Sequence, residues 1–152
     1  MPALIVPEYL RTWCDLKQRT PLRHEQADIV RGQIEAERLA YELAQGQGID
    51  WMVVDSSPLM TAVYSLEYFN DDALCAEALM HQSRYCLSLV MDDGIEWVGT
   101  DWQRDSPLRR ASCQSRLVEL LNSTGIGYYV IAGSAEDRLE RTRALIAAAG
   151  VA

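Results

Sequence analysis

Apolar residues in this chain gather into short unbroken runs separated by longer stretches with helical spacing. ALIV (3–6), WMVV (51–54), CLSLVM (86–91) and GYYVIAG (127–133) are the continuous runs. Runs of this kind are expected of strands in a parallel sheet covered on both faces. Between them the pattern is helical. PEYLRTWCDLKQR (7–19) predicts a helix with Pro7 in its first turn and Pro21 as its stop. From His24 to about Gln45, Ala27, Val30, Ile34 and Tyr41 share one face, with Gly46 and Gly48 ending the helix. Leu39 and Leu43 lie off that stripe, which predicts broader burial of the last turns.

PLMTAVYSLEYF (58–69) and DALCAEALMHQS (72–83) predict two further helices, the first opened by Ser57 and Pro58. LRRASCQSRLVELLNST (108–124) predicts another, stopped by Gly125. The last, from Ser134 to Gly150, has Ser134 as its cap and Glu136 and Asp137 in the first turn, where acids oppose the helix dipole favourably. Residues 94–107 show no period. Strands alternating with helices define an α/β domain with a parallel sheet flanked by helices, and residues 1–152 read as one domain. Chemistry in such sheets lies beyond the strand carboxyl ends. That places Glu8, Asp55, Asp92 and Gly133 on one rim, with 94–107 hanging over it.

At 152 residues and 49% hydrophobic, the chain can build one ordinary core. A net charge of −8 opposes non-specific nucleic-acid binding, which needs a basic face. No apolar run approaches the roughly 20 residues of a membrane span. With no signal-peptide pattern, a cytoplasmic location is expected. Cys14, Cys75, Cys86 and Cys113 form no C-x-x-C pair and read as free thiols packed as small apolar groups. His24 and His81 lie near no plausible nucleophile, so Ser-His-Asp chemistry has no support. Tyr128 and Tyr129 read as core and sheet surface.

Asp55 closes an apolar strand, where an aspartate can reach Mg²⁺ or its water shell; capping the helix at Pro58, helped by Ser56 and Ser57, is the other reading. Glu8 and Arg11 stand one turn apart. They can bind acceptor hydroxyls or pair with each other. Trp97, Asp101 and Arg104 fall in the polar segment, where arginine beside phosphates stabilises transfer charge and tryptophan can stack on a ring. An exposed loop anchored by Trp97 is the alternative. Nowhere in the chain is there a G-x-x-x-x-G-K-[ST] phosphate loop; Gly94 to Gly99 has the glycine spacing but no lysine.

VPEYLR (6–11), VVDSSPLMTAVYSLEYF (53–69), EWVGTDWQR (96–104) and GYYVIAGSAEDRLERT (127–142), in that order and spacing, resemble the P-loop kinase domain of NadR-type proteins. These are relatives of the AAA-type ATPases, and the resemblance covers nearly the whole chain. It implies an adenylate-kinase-like fold and transfer of the γ-phosphate of ATP, with Mg²⁺, to a nucleoside-like acceptor such as nicotinamide riboside. Asp55 would then lie near Mg²⁺ and the acceptor ribose. Asp101 and Arg104 match the lid, Trp97 the tryptophan before it, and Glu8 and Arg11 the E-Y-x-R that binds acceptor. Gly133, Ser134 and Arg138 would lie near adenine.

Two residues depart from the family pattern. Ser57 replaces the second aspartate of D-T-D, and Trp102 replaces the lid glycine. The family's first strand, phosphate loop and helix have no counterpart here. In the family's 2-3-1-4-5 sheet that strand is central, between WMVV and CLSLVM. Two expectations follow: those strands pair directly, or the polypeptide folds poorly alone. A unit of roughly 30 residues upstream is one explanation, and a shortened non-catalytic paralogue the other. The functional expectation is a kinase-like domain inactive as the 152-residue chain. Its alternatives are a nucleotide-binding or regulatory domain, and a sheet completed by a second copy or another chain.

Overall fold

The computed structural model describes residues 2–94 and 106–150. Strand β1 (Ala3–Pro7) leads into α1 (Tyr9–Lys17), a 3-10 turn at Arg23–Glu25, and α2 (Gln26–Gln47). β2 (Trp51–Asp55) is followed by α3 (Pro58–Phe69) and α4 (Cys75–Gln82). β3 (Leu89–Met91), α5 (Pro107–Thr124), β4 (Tyr129–Ile131) and α6 (Ala135–Ala149) complete the order. The predicted α/β class with parallel strands and flanking helices is the observed one.

The sheet is divided. β1 pairs with β2 in parallel from Ala3↔Trp51 to Pro7↔Asp55. β3 pairs with β4 in parallel from Leu89↔Tyr129 to Met91↔Ile131. Among the described residues β2 and β3 do not pair, so the expected direct pairing of 51–54 with 86–91 is corrected. Helices join the two halves instead. α3 packs on α2, α4 and α5, and Leu59 and Ala62 of α3 share a core with Cys75, Ala78, Val90 and Leu121. α6 starts past β4, and its end reaches the start of β2, where a Cβ on Gly150 would lie 3.2 Å from Trp51 Cζ2.

Several boundaries shift for physical reasons. Pro7 ends β1 rather than opening α1, whose N-cap is Glu8. α1 stops at Gln18, which takes the left-handed conformation before Pro21 is reached. α2 runs through Gly46 and stops at Gly48, at φ 65°, where glycine carries no Cβ penalty. Its buried stripe is Gln26, Ile29, Val30, Gln33, Glu37 and Ala44. Of the predicted apolar face Val30 is buried and Ala27 and Ile34 half-buried, but Tyr41 is exposed; Leu39 and Leu43 are exposed too, so broad burial of the last turns is corrected. Gln33 and Glu37 bond each other and take further partners from Tyr9, His81 and Tyr85, which lets them replace apolar residues.

β3 and β4 are shorter than the runs that predicted them, although the Ser88 carbonyl still accepts from Tyr129 N–H at 2.9 Å. Cys14, Cys75 and Cys113 are buried as expected, whereas Cys86 is exposed. Ser106 and Ser134 cap α5 and α6, the latter in a reciprocal box with Asp137. Among the described residues no helix is long and apolar enough to cross a membrane.

Candidate functional site

The C-terminal ends of β1 and β2 bring Glu8, Asp55 and Ser56 together. Pro7 and Asp55 are register partners, so the next residue on each strand meets across the rim. Ser56 Oγ donates to Glu8 Oε1 at 3.3 Å. Arg11 Nε stands 3.6 Å from Glu8 Oε2, with the arginine largely exposed. The i,i+3 pair considered for Glu8 and Arg11 is therefore formed, and Glu8 also reaches the neighbouring strand.

Asp55 does not cap α3. Ser57 is the N-cap residue and makes no side-chain cap bond, while Pro58 occupies the first turn. Ser56, the other capping candidate, turns to Glu8. The Asp55 carboxylate is exposed and makes no side-chain hydrogen bond or ion pair among the described residues.

Beyond β3 and β4 the rim is held by Arg138. It is nearly buried, donating from Nε to Gly133 O at 2.9 Å and from a terminal nitrogen to Asp92 O at 3.0 Å. Its other nitrogen lies 3.6 Å from Asp92 Oδ1. Asp92 N–H donates to Ile131 O at 2.9 Å, extending the ladder by one bond. Gly133 has φ 98°, and a Cβ there would meet Asp137 Oδ2 at 2.9 Å. Glycine is thus required both by the backbone and by the capping box. Ser134 Oγ accepts from Asp137 N–H at 3.2 Å, and Asp137 Oδ2 accepts from Ser134 N–H at 2.9 Å. The Ser134 hydroxyl, donating to Asp137 Oδ2 at 2.6 Å, and then the Ser134 N–H hold the Asp137 carboxyl below the usual range.

The structure thus gathers Glu8, Arg11 and Asp55 at the ends of β1 and β2, and Gly133, Ser134 and Arg138 past β4; among the described residues the two strand pairs are not joined into the single rim the sequence predicts. Trp97, Asp101, Trp102 and Arg104 lie outside the described residues, as does most of the Gly94–Gly99 segment. Sequence reasoning assigned Ser56 only a helping part in capping. Its position after a strand-end aspartate was the available signal for the contact with Glu8. Among the described residues no group of three or more His, Cys, Asp or Glu could hold a metal alone. Mg²⁺ does not require one, since it commonly uses one or two carboxylates together with phosphate and water. Asp55, with Glu8 beside it, fits that donor set.

Comparison with known proteins decides the family at this point. The family model described as AAA domain matches residues 2–138. The chain belongs to the AAA domain family. This makes it a nucleotide-binding, ATPase-like domain with a P-loop-type fold. No curated protein matches it.

Proposed function

We propose that this AAA-domain chain carries the acceptor side of a kinase-like site at the β1–β2 rim, and that the 152-residue chain itself transfers little or no phosphate. The observation that carries the reading is Asp55. It is an exposed carboxylate at a strand end, without a described partner, beside the Glu8–Ser56 contact. Its freedom from capping supports a ligand-facing role.

In this reading Asp55 would hold Mg²⁺ and face the acceptor hydroxyl, while Glu8 and Arg11 would orient a nucleoside-like molecule. Bound Mg-ATP supplies the phosphoryl group and part of the charge compensation. Arg104 supplies further positive charge. Trp97 and Asp101 contribute to acceptor binding, and the Gly133–Ser134 turn, steadied by Arg138, lies toward the base. Positioning and charge stabilisation make up nearly all of this catalysis. The 152 residues contain no lysine-bearing phosphate loop, so ligand binding should exceed turnover.

Calorimetric titration with Mg-ATP and with nicotinamide riboside, beside a phosphorylation assay, tests this. Nucleoside binding that Asp55→Asn abolishes is expected. Turnover in the ordinary kinase range of roughly 1–100 s⁻¹ would refute the non-catalytic part, and absence of binding to either ligand would refute the site.

The divided sheet favours a second reading, in which a partner strand completes it. β2 and β3 each have one strand neighbour among the described residues, leaving edges suited to strand addition. Ile5 on β1 and Val53 on β2, register partners, are exposed. Stability that rises with protein concentration supports this reading, and a compact monomer unaffected by dilution opposes it.

A further inference from the structure

Helix α1 begins without a cap of its own. Glu8, at the N-cap position, makes no side-chain cap bond. Instead the Tyr9 N–H donates to Gln33 Oε1 at 2.7 Å, across 24 residues of sequence. Gln33 is 3% exposed, and one turn along α2 its Nε2 donates to Glu37 Oε1 at 3.4 Å. Glu37 is 5% exposed. Its carboxylate accepts from the Tyr85 hydroxyl at 2.9 and 3.0 Å and lies 2.7 Å from His81 Nε2. The Tyr9 ring lies so close over Gly32 that a Cβ there would fall 2.2 Å from Tyr9 Cε1. Tyr9 is therefore fixed to α2 by both ring and amide.

The chemistry gives this chain of bonds a direction. An ionised carboxylate only accepts, so every neighbour of Glu37 must donate to it. Burial, then the nearby Glu37 carboxylate, holds the Tyr85 hydroxyl well above the ordinary phenol range. It stays protonated and donates. The Gln33 amide must then turn its NH₂ to Glu37, which leaves only its oxygen for the Tyr9 N–H.

A bland account is available: any buried carboxylate gathers donors. That account explains Tyr85, His81 and Gln33 but gives no reason for the chain to end on Tyr9. Gln33 takes an orphan N–H at the start of α1, while the adjacent Glu8 carboxylate points to Ser56. The far end opens on a recess lined by Ile34, Glu77, Met80, His81 and Arg84.

We propose that Gln33 and Glu37 are positioning residues that hold Glu8 at the rim, with Tyr85 and His81 anchoring the far end of the relay. The inference rests on the reading of Glu8 as an acceptor-side residue. Two variants test it in the full chain, Gln33→Met at the near end and Tyr85→Phe at the far end. The readouts are Tyr9 amide exchange and the side-chain chemical shifts of Glu8 and Ser56, both by NMR at one pH. Gln33→Met is expected to speed Tyr9 exchange about tenfold, the value of one net hydrogen bond. Tyr85→Phe is expected to speed it by a smaller factor and to move the Glu8 and Ser56 side-chain shifts, although it touches none of the three.

Lower melting temperatures with Tyr9 exchange and the Glu8 and Ser56 side-chain shifts unchanged would overturn the relay and leave a purely structural network. If Gln33→Met fails to fold, Tyr85→Phe, which removes one oxygen, decides alone. Nicotinamide riboside binding by the unmodified chain is scored separately. Its absence removes the proposed function, while the two NMR readouts still decide the relay.

Discussion

β1 and β2 pair over five residues and lie on α2, whose buried stripe is half polar. β3 and β4 pair over three residues, and their ends are tied by one buried arginine. The first half holds its rim from behind, through a helix that reaches α1. The second holds it from within the rim, through carbonyl oxygens. A rim residue in the first half can therefore keep a free side chain, as Asp55 does. In the second half the polar groups are largely consumed in fixing the turn. Such an arrangement suits variable, ligand-facing chemistry near Asp55 and a rigid frame near Gly133.

The largest expected effect comes from striking both halves together. Leu59 is fully buried in the core that α3 shares with α4, α5 and β3. Leu59→Ala should cost about 3–4 kcal/mol in denaturant unfolding and raise hydrogen exchange in both strand pairs. Arg138→Met separates them. It leaves the Gly133 and Asp92 carbonyls without this donor and should cost about 2 kcal/mol. Exchange should rise in β3 and β4 while β1 and β2 stay protected. Equal loss of protection in the two pairs would show that the halves unfold as one unit.

A pH series examines the link between them. Glu67 of α3 accepts from Arg116 at 2.5 Å, from Ser112 at 2.8 Å and from Arg109 at 2.7 Å, all on α5. The bond from Arg116 first, then that from Ser112, lowers its carboxyl from 4.5 to about 2. A folded-state value below the unfolded one means stability present above pH 4.5 and lost as pH falls toward 2. Relative to Glu67→Gln, the native chain should hold its melting temperature at neutral pH and lose that advantage across this window. A difference independent of pH would assign the clamp to shape rather than charge. Ser134→Ala is smaller and local. Loss of a serine cap costs about 1 kcal/mol, and it should loosen α6 without altering β1 and β2.

Much of this architecture is legible in the chain because it depends on local rules. Four apolar runs become four parallel strands, and Ser57-Pro58, Gly125 and Ser134 mark helix ends as their backbone chemistry requires. The convergence of Glu8 and Asp55 also follows from strand ends and topology. What escaped depends on partners distant in sequence. The buried stripe of α2 was sought among apolar residues, yet Gln33 and Glu37 are buried because Tyr9, His81 and Tyr85 satisfy them. The helical spacing of Gln26, Gln33 and Glu37 was visible, but a polar stripe in isolation reads as a solvated face. The divided sheet was equally hidden, since apolar runs specify strands but not which strands pair.

The smallest expected stability effects fall on the residues that matter most to the proposed site, and this makes them the sharpest test of the contrast. Arg11 and Glu8 form an ion pair at 3.6 Å with the arginine side chain 57% exposed. Exposed pairs contribute about 0–1 kcal/mol, so Arg11→Ala should leave the melting temperature almost unchanged. Asp55→Asn should do the same, because the described structure gives that carboxylate no partner to lose. If both variants fold like the native chain yet bind nicotinamide riboside at least tenfold more weakly, the rim side chains of the first half are there for a ligand. If binding is unaffected, Asp55 is an ordinary surface acid, and the difference between the halves concerns only how each is built.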